Sequence, residues 1–221
     1  MHETTHLSYE EGTVNITLNS ESSFEVVAPN FRCDDYNSFV NAGFTKKELE
    51  AISGGQTADI VFDLTISEDI ENEELKSWFA AGKEKQEPHV GRLSDGMYIQ
   101  MSATKAIGDA PYETISTLSE DTLIEMEIPL YLRSQDRNYY IMISNMGDCV
   151  LLPDLDNEPE TITFSTHNMT TGILLYLDPL ESREKSEAQK FRLQPHHLLW
   201  AGVVLLILAW IFITHFHKKN M

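Results

Sequence analysis

The chain has 221 residues, 42% of them hydrophobic, and 35 acidic against 16 basic side chains leave a net charge of −19. That length and apolar content suffice for one good-sized core, or for a small domain beside a larger one. The acidity excludes a nucleic-acid-binding surface, which needs a basic face; it disfavours contact with anionic lipid and serves mostly solubility.

Residues 12–18, "GTVNITL", and 23–29, "SFEVVAP", read as two short strands separated by the polar turn "NSESS". Thr45 followed by Glu48 is a capping-box pattern, and Gly54 with Gly55 supplies a stop, which predicts a short helix over 46–53. In "TADIVFDLTI" the residues Ala58, Ile60, Phe62, Leu64 and Ile66 fall on one face and Asp59 and Asp63 on the other, the signature of a half-buried strand. "SEDIENEELKSWFAAGKEK" reads as a second helix, with Ile70, Leu75, Trp78 and Phe79 on one side and acids on the other. A run of strands follows. Met97, Ile99 and Met101 share one face. Ile124, Met126, Ile128 and Leu130 share another, opposite Glu125 and Glu127. "NYYIMIS" and "CVLL" form a hairpin with Gly147 in its turn, and "ETITFST" and "TGILLYLD" complete the set. Alternating strands at short spacing predict a mainly β fold, β-sandwich-like and antiparallel, with two short helices. The expected division is 1–43 as N-terminal strands, closing a preceding β-module or standing before this one, 44–178 as the β-sandwich-like module, and 179–197 as a charged tether broken by Pro195.

From Leu198 to Phe216 the chain is almost wholly apolar. As a helix rising 1.5 Å per residue it spans about 28 Å, close to the hydrocarbon thickness of a bilayer. Trp200 and Trp210 fall in its end turns, at headgroup depth, and Lys218 and Lys219 open a short basic tail, 217–221. The charges flanking the span nearly tie, and the acidic bulk favours the outer face. The expectation is therefore one C-terminal transmembrane helix, a single-pass cell-membrane protein with its N-terminal body extracellular and its C-terminus cytoplasmic. "MHETTHLSYEEGTVNITL" lacks a basic start and an apolar core, so export requires residues upstream of Met1; the alternative is a tail-anchored chain with its body in the cytosol.

Few residues suggest chemistry. Asp154, Asp156 and Glu158 alternate in "DLDNEPE", a weak calcium candidate that lacks the glycine and the terminal bidentate acid of a calcium loop; the plain reading is an acidic turn ordering the last hairpin. Ser165, Thr166 and His167 lie together before the last strand, as a self-cleaving turn requires, but with no identifiable acid partner. Tyr98, Tyr131, Tyr139 and Tyr140 could build an aromatic glycan platform or simply fill the core. Paired histidines, His196 with His197 and His215 with His217, flank the span. "NIT" at Asn15 and "NMT" at Asn168 are sequons. Cys33 and Cys149 read equally well as a disulfide closing a very long loop or as two buried thiols. No phosphate loop, nucleophile elbow or Cys/His metal spacing is present, which points away from an enzyme and from any cofactor.

The order of segments resembles the anchor-proximal β-rich module of Gram-positive, especially clostridial, cell-surface proteins. The resemblance rests on "FTKKELEAISGGQTADIVFDLTIS", "GMYIQMSATKAIGD", "IEMEIPLYLR" and "VLLPDLDNEPETITFSTHNMTTGILLYLD", and runs from about Phe44 to Asp178. Its marks are Lys105 with Ile107, Gly108 and Asp109; Ile128 with Pro129; and Asp154, Leu155, Asp156 and Pro159 before Thr161, Phe164 and Thr166. Two marks depart: "MTTGI" replaces the usual aromatic closing element, and "LQPHH" is no sortase signal, so anchoring would fall to the span. The resemblance implies a non-enzymatic, membrane-anchored spacer or presentation module without catalytic residues. The alternative is an adhesion domain for a glycan or a protein.

Overall fold

The computed structural model describes residues 1–178 except positions 34, 146 and 157; the expected tether, span and basic tail lie outside the described residues. Strand β1 (His2–Tyr9) turns through Glu10 and Glu11 into β2 (Gly12–Ser22). Glu10 takes the left-handed conformation, φ 53°, that a two-residue hairpin turn demands. β3 (Phe31–Cys33), α1 (Tyr36–Gly43) and α2 (Lys46–Ser53) then lead to β4 (Thr57–Ser67), α3 (Glu73–Val90) and β5 (Ser94–Ile107). β6 (Glu113–Ile115), β7 (Thr117–Glu127), β8 (Asn138–Asn145), β9 (Asp148–Pro153), β10 (Thr161–Asn168) and β11 (Thr171–Leu177) follow.

The strands form two sheets. The larger runs β1-β2-β4-β5-β11-β8-β9, with β6 paired to β5; the smaller runs β10-β7-β3. Alternation decides which face is dry. Ile16, Ile60, Phe62, Leu64, Ile99 and Ile141 of the larger sheet are fully buried and share one core with Phe31, Ile124, Met126, Ile162 and Phe164 of the smaller. Phe62 joins the sheets directly: its ring meets Phe31 edge-on at 4.9 Å and lies stacked 5.8 Å from Phe39 of α1. The opposite face of the larger sheet is apolar only across β5, β11, β8 and β9. There α3 covers it with Leu75, Trp78 and Phe79, over Met142, Cys149, Ile173 and Leu175.

The capping box on α2 is present as expected: Thr45 Oγ1 accepts from Glu48 N–H, and Glu48 reaches back to Thr45 N–H at 2.6 Å. The fold departs from expectation in four places. The sheets are mixed, because β2 and β4 are parallel over ten residue pairs. Parallel neighbours need a long crossover, here β3, α1 and α2. There are three helices among the described residues; Asp35 caps the additional one, α1, accepting from Asn37 N–H at 2.9 Å and from Ser38 Oγ at 2.7 Å. "SFEVVAP" is irregular, and "NSESS" continues β2 rather than breaking it. The serines there bond locally, Ser22 Oγ to Phe24 O and Ser20 Oγ to Pro29 O, which competes with strand pairing. Finally, β7 ends at Glu127, and Leu130, expected in the core, is 81% exposed.

Strand direction fixes where the chain enters and leaves this body. β11 runs parallel to β2 and β4 and antiparallel to β1. β1 therefore starts at the end of the sheet where β11 finishes. The turns at Glu10, Gly55, Gly108, Gly147 and Asn168 gather at the other end.

Candidate functional site

Three polar constellations stand out. The first is a cleft of ≈ 290 Å³ between β8 and the acidic turn, lined by Gln135, Arg137, Tyr140, Asp154, Asp156 and Glu158 among others. It contains the three carboxylates singled out from sequence. Much of their capacity is already spent: Asp154 Oδ1 accepts from Thr163 N–H at 3.0 Å, Asp156 Oδ1 accepts from Glu158 N–H at 2.7 Å, and Asp156 Oδ2 accepts a hydrogen bond from the Thr163 hydroxyl. Partial burial raises the Asp154 carboxyl above its ordinary value, against the lowering effect of the Thr163 and Asp156 N–H groups. Among the described residues, no group of three or more His, Cys, Asp or Glu is placed to hold a metal ion. The turn's observed work is to join β9 to β10.

Arg137 forms the facing wall. Its Nε donates to Asp178 Oδ1 at 2.6 Å, a terminal nitrogen donates to Leu132 O at 2.7 Å, and the guanidinium lies 4.0 Å over the Tyr176 ring. Burial alone would lower this guanidinium's pKa; the Asp178 carboxylate outweighs that and holds it above its ordinary value. Asp178 is thus fastened where the chain leaves β11, a strand hydrogen-bonded on both sides, to β5 and to β8.

The second constellation lies on the open half of the larger sheet, away from α3. His2, Asn19 and Asp63 form one cross-strand row, and His6, Asn15 and Asp59 form another. Asn19 Nδ2 donates to Asp63 Oδ1 at 2.8 Å, and Asn15 Nδ2 donates to Asp59 Oδ1 at 2.7 Å. Each asparagine therefore turns its amide oxygen to a histidine, His2 Nδ1 in one row and His6 Nδ1, at 2.7 Å, in the other. Sequence reasoning missed these rows although a signal exists: "HETTH", "NITLN" and "DIVFD" each repeat one polar residue four positions apart.

The third is His167, whose Nδ1 bonds Asp121 Oδ1 across β10 and β7. Asp121 is the acid partner absent from the local sequence, and it lies 46 residues away. Thr166 points the other way, is buried, and accepts from Asn168 N–H at 3.0 Å.

The four tyrosines do not converge on one platform. Tyr139 is buried, its hydroxyl donating to Leu132 O at 2.7 Å and accepting from Ser134 N–H. Tyr98 packs on Phe79, Tyr140 belongs to the core under α3, and the exposed Tyr131 meets Phe24 edge-on. Tyr139 and Tyr140 both reach the cleft. Cys33 and Cys149 are separate buried thiols in different core clusters. Burial, with Asp148 alongside, pushes the Cys149 thiol up to about 11. No helix among the described residues is long and apolar enough to cross a membrane, and Leu198–Phe216 with Lys218 and Lys219 lies outside them.

Comparison of the chain with protein-family models, with curated proteins and with solved structures finds no match.

Proposed function

We propose that this chain is a non-enzymatic display module of a cell surface: a stiff β-body held through its last strand and carried on the 179–197 tether and the apolar 198–216 helix. The observation that carries this reading is the fastening of Asp178. A load arriving from residue 179 acts along β11, whose two antiparallel ladders must shear together, with the Arg137 fork and its stack on Tyr176 closing the exit. β1 starts at the end of the sheet where β11 finishes, and the turns at Glu10, Gly55, Gly108 and Asn168 lie at the opposite end.

Single-molecule pulling tests the reading. Held at a cysteine introduced for Asp109 and pulled from the C-terminus, the body should yield in one high-force event. Pulled between Met1 and the C-terminus it should peel from β1 at lower force. Equal, low forces in both geometries would remove the load-bearing claim.

A second reading, an adhesion domain, is favoured by the cleft between Arg137, Tyr140 and the acidic turn, whose mixed donors and acceptors suit a hydroxylated or cationic ligand. Glycan-array binding that Tyr140→Ala and Glu158→Ala both abolish would establish it.

A further inference from the structure

Among the described residues, the larger sheet has an unguarded edge. β9, its other edge, is six residues long, ends in Pro153 and is packed by α3; in the smaller sheet β3 is three residues long and β10 lies against β8 and β9. These are the ordinary ways to blunt an edge. β1 has none of them: eight residues in unbroken register with β2, with no Pro, Gly, Lys or Arg, and with no strand on its outer side among the described residues. Met1 and Ser20 exchange both backbone hydrogen bonds, at 2.7 and 3.0 Å. By antiparallel alternation the backbone groups of Glu3, Thr5, Leu7 and Tyr9 also face β2, and those of His2, Thr4, His6 and Ser8 face outward.

The outward residues include both histidines of the polar rows. Since each asparagine amide donates to an aspartate, its oxygen must accept a hydrogen bond from the histidine, so the network assigns Nδ1–H to His2 and His6. The lone pair then sits on Nε2, and the Asn–Asp relay behind each ring holds it as an oriented metal ligand is held.

We propose that two copies of this chain pair antiparallel through β1 about Thr4, and that this pairing builds two identical divalent zinc-type sites. In that register Thr4 opposes Thr4 of the second copy, and His2 opposes its His6, on the same face and with outward backbone groups matched throughout. Directly opposed residues bring their Cβ atoms to about 5 Å, within reach of one ion shared by two imidazoles, with water completing the shell. Charge decides that a cation is needed. No Lys or Arg occurs before Arg32, Asp59 and Asp63 lie behind the histidines, and each copy carries a net −19, so the pair repels itself until divalent ions enter the seam. Glu3 opposes Thr5 of the second copy, not a like charge. The pairing holds whether or not the chain sits in a membrane.

Sedimentation equilibrium of the full chain in dodecyl maltoside, with zinc chloride or with EDTA, reads this out. Zinc at one ion per chain should tighten self-association about tenfold or more, reversibly. His2→Ala or His6→Ala removes one ligand from each site and should abolish the effect. An equimolar mixture of those two variants should regain part of it, because a mixed pair keeps one intact His2–His6 site. A Thr4→Cys chain should cross-link to itself under mild oxidation only with zinc present, and Thr5→Cys should not. Sedimentation unchanged by zinc, association that survives either histidine variant, a mixture no better than its components, or zinc bound without association would overturn the proposal.

Discussion

Replacing Arg137 tests the fastening of β11 most sharply. Arg137→Ala removes two hydrogen bonds, one of them to a carboxylate, and a cation–π contact. In full burial these are worth about 1.5–3 kcal/mol for the charged bond and about 0.5–2 kcal/mol for the stack. The Arg137 and Asp178 side chains are 20% and 34% exposed, so solvent screens part of this. The net loss should be about 2–3 kcal/mol, and at 2–4 °C per kcal/mol for a body of this size the melting midpoint should fall by about 5–10 °C. Arg137→Lys keeps the charge but supplies neither the planar fork nor the stacked face, so it should recover less than half of the loss. Asp178→Asn keeps an acceptor and should lose about 1 kcal/mol. Urea unfolding followed by tryptophan fluorescence gives the energies, and hydrogen exchange at the β11 amides locates them. A change below about 0.5 kcal/mol for Arg137→Ala, or a lysine variant as stable as the wild type, would refute the reasoning.

Other changes probe the rest of the body. Phe62→Ala should cost about 3–5 kcal/mol in urea unfolding, since the ring is fully buried between Phe31 and Phe39, and a cycle with Phe31→Leu should show coupling of about 0.5–1.5 kcal/mol. Partial burial would raise the Glu48 carboxyl, but the Lys105 ammonium at 2.6 Å and the Thr45 N–H hold it below its ordinary 4.5. Ionised Glu48 therefore stabilises the fold above that value, and the contribution fades as pH falls through the lowered one. Glu48→Gln should lower the urea midpoint at neutral pH and flatten its acid limb below pH ~4.5, and an unchanged limb would contradict the assignment. With its thiol pushed up to about 11 and buried, Cys149 should resist a disulfide reagent at pH ~8 in the native chain and react once urea unfolds it.

Where the sequence was readable, one local rule sufficed. Period-two alternation in Ala58–Ile66 placed β4, and Ala58, Ile60, Phe62, Leu64 and Ile66, the five residues of the expected inner face, are all buried. The Thr45–Glu48 box placed α2, and Gly147, at φ 92°, marked the turn of the β8–β9 hairpin. The errors came where two signals competed or where partners were distant in sequence. β1 is mostly exposed and lacks a hydrophobic run, so only its pairing with β2 makes it a strand. The helix α1 is short and carries Asn, Ser and Gly, and its one cue, Asp35, looks equally like a loop residue. The parallel pairing of β2 and β4 depends on a crossover that no single window contains. The candidate carboxylates of the acidic turn were visible because they are neighbours. The His–Asn–Asp rows were not, because each draws its three residues from three strands.

The account rests most on display at a membrane through the apolar C-terminal segment, and protease shaving of the intact cells in which the chain is native, with any residues that precede Met1 in place, tests it directly. The account predicts that the chain fractionates with membranes, that added protease releases the 1–178 body, and that a C-terminal epitope after Lys219 stays protected until the cells are lysed. A chain found in the aqueous fraction, or a body that protease reaches only after lysis, would contradict it.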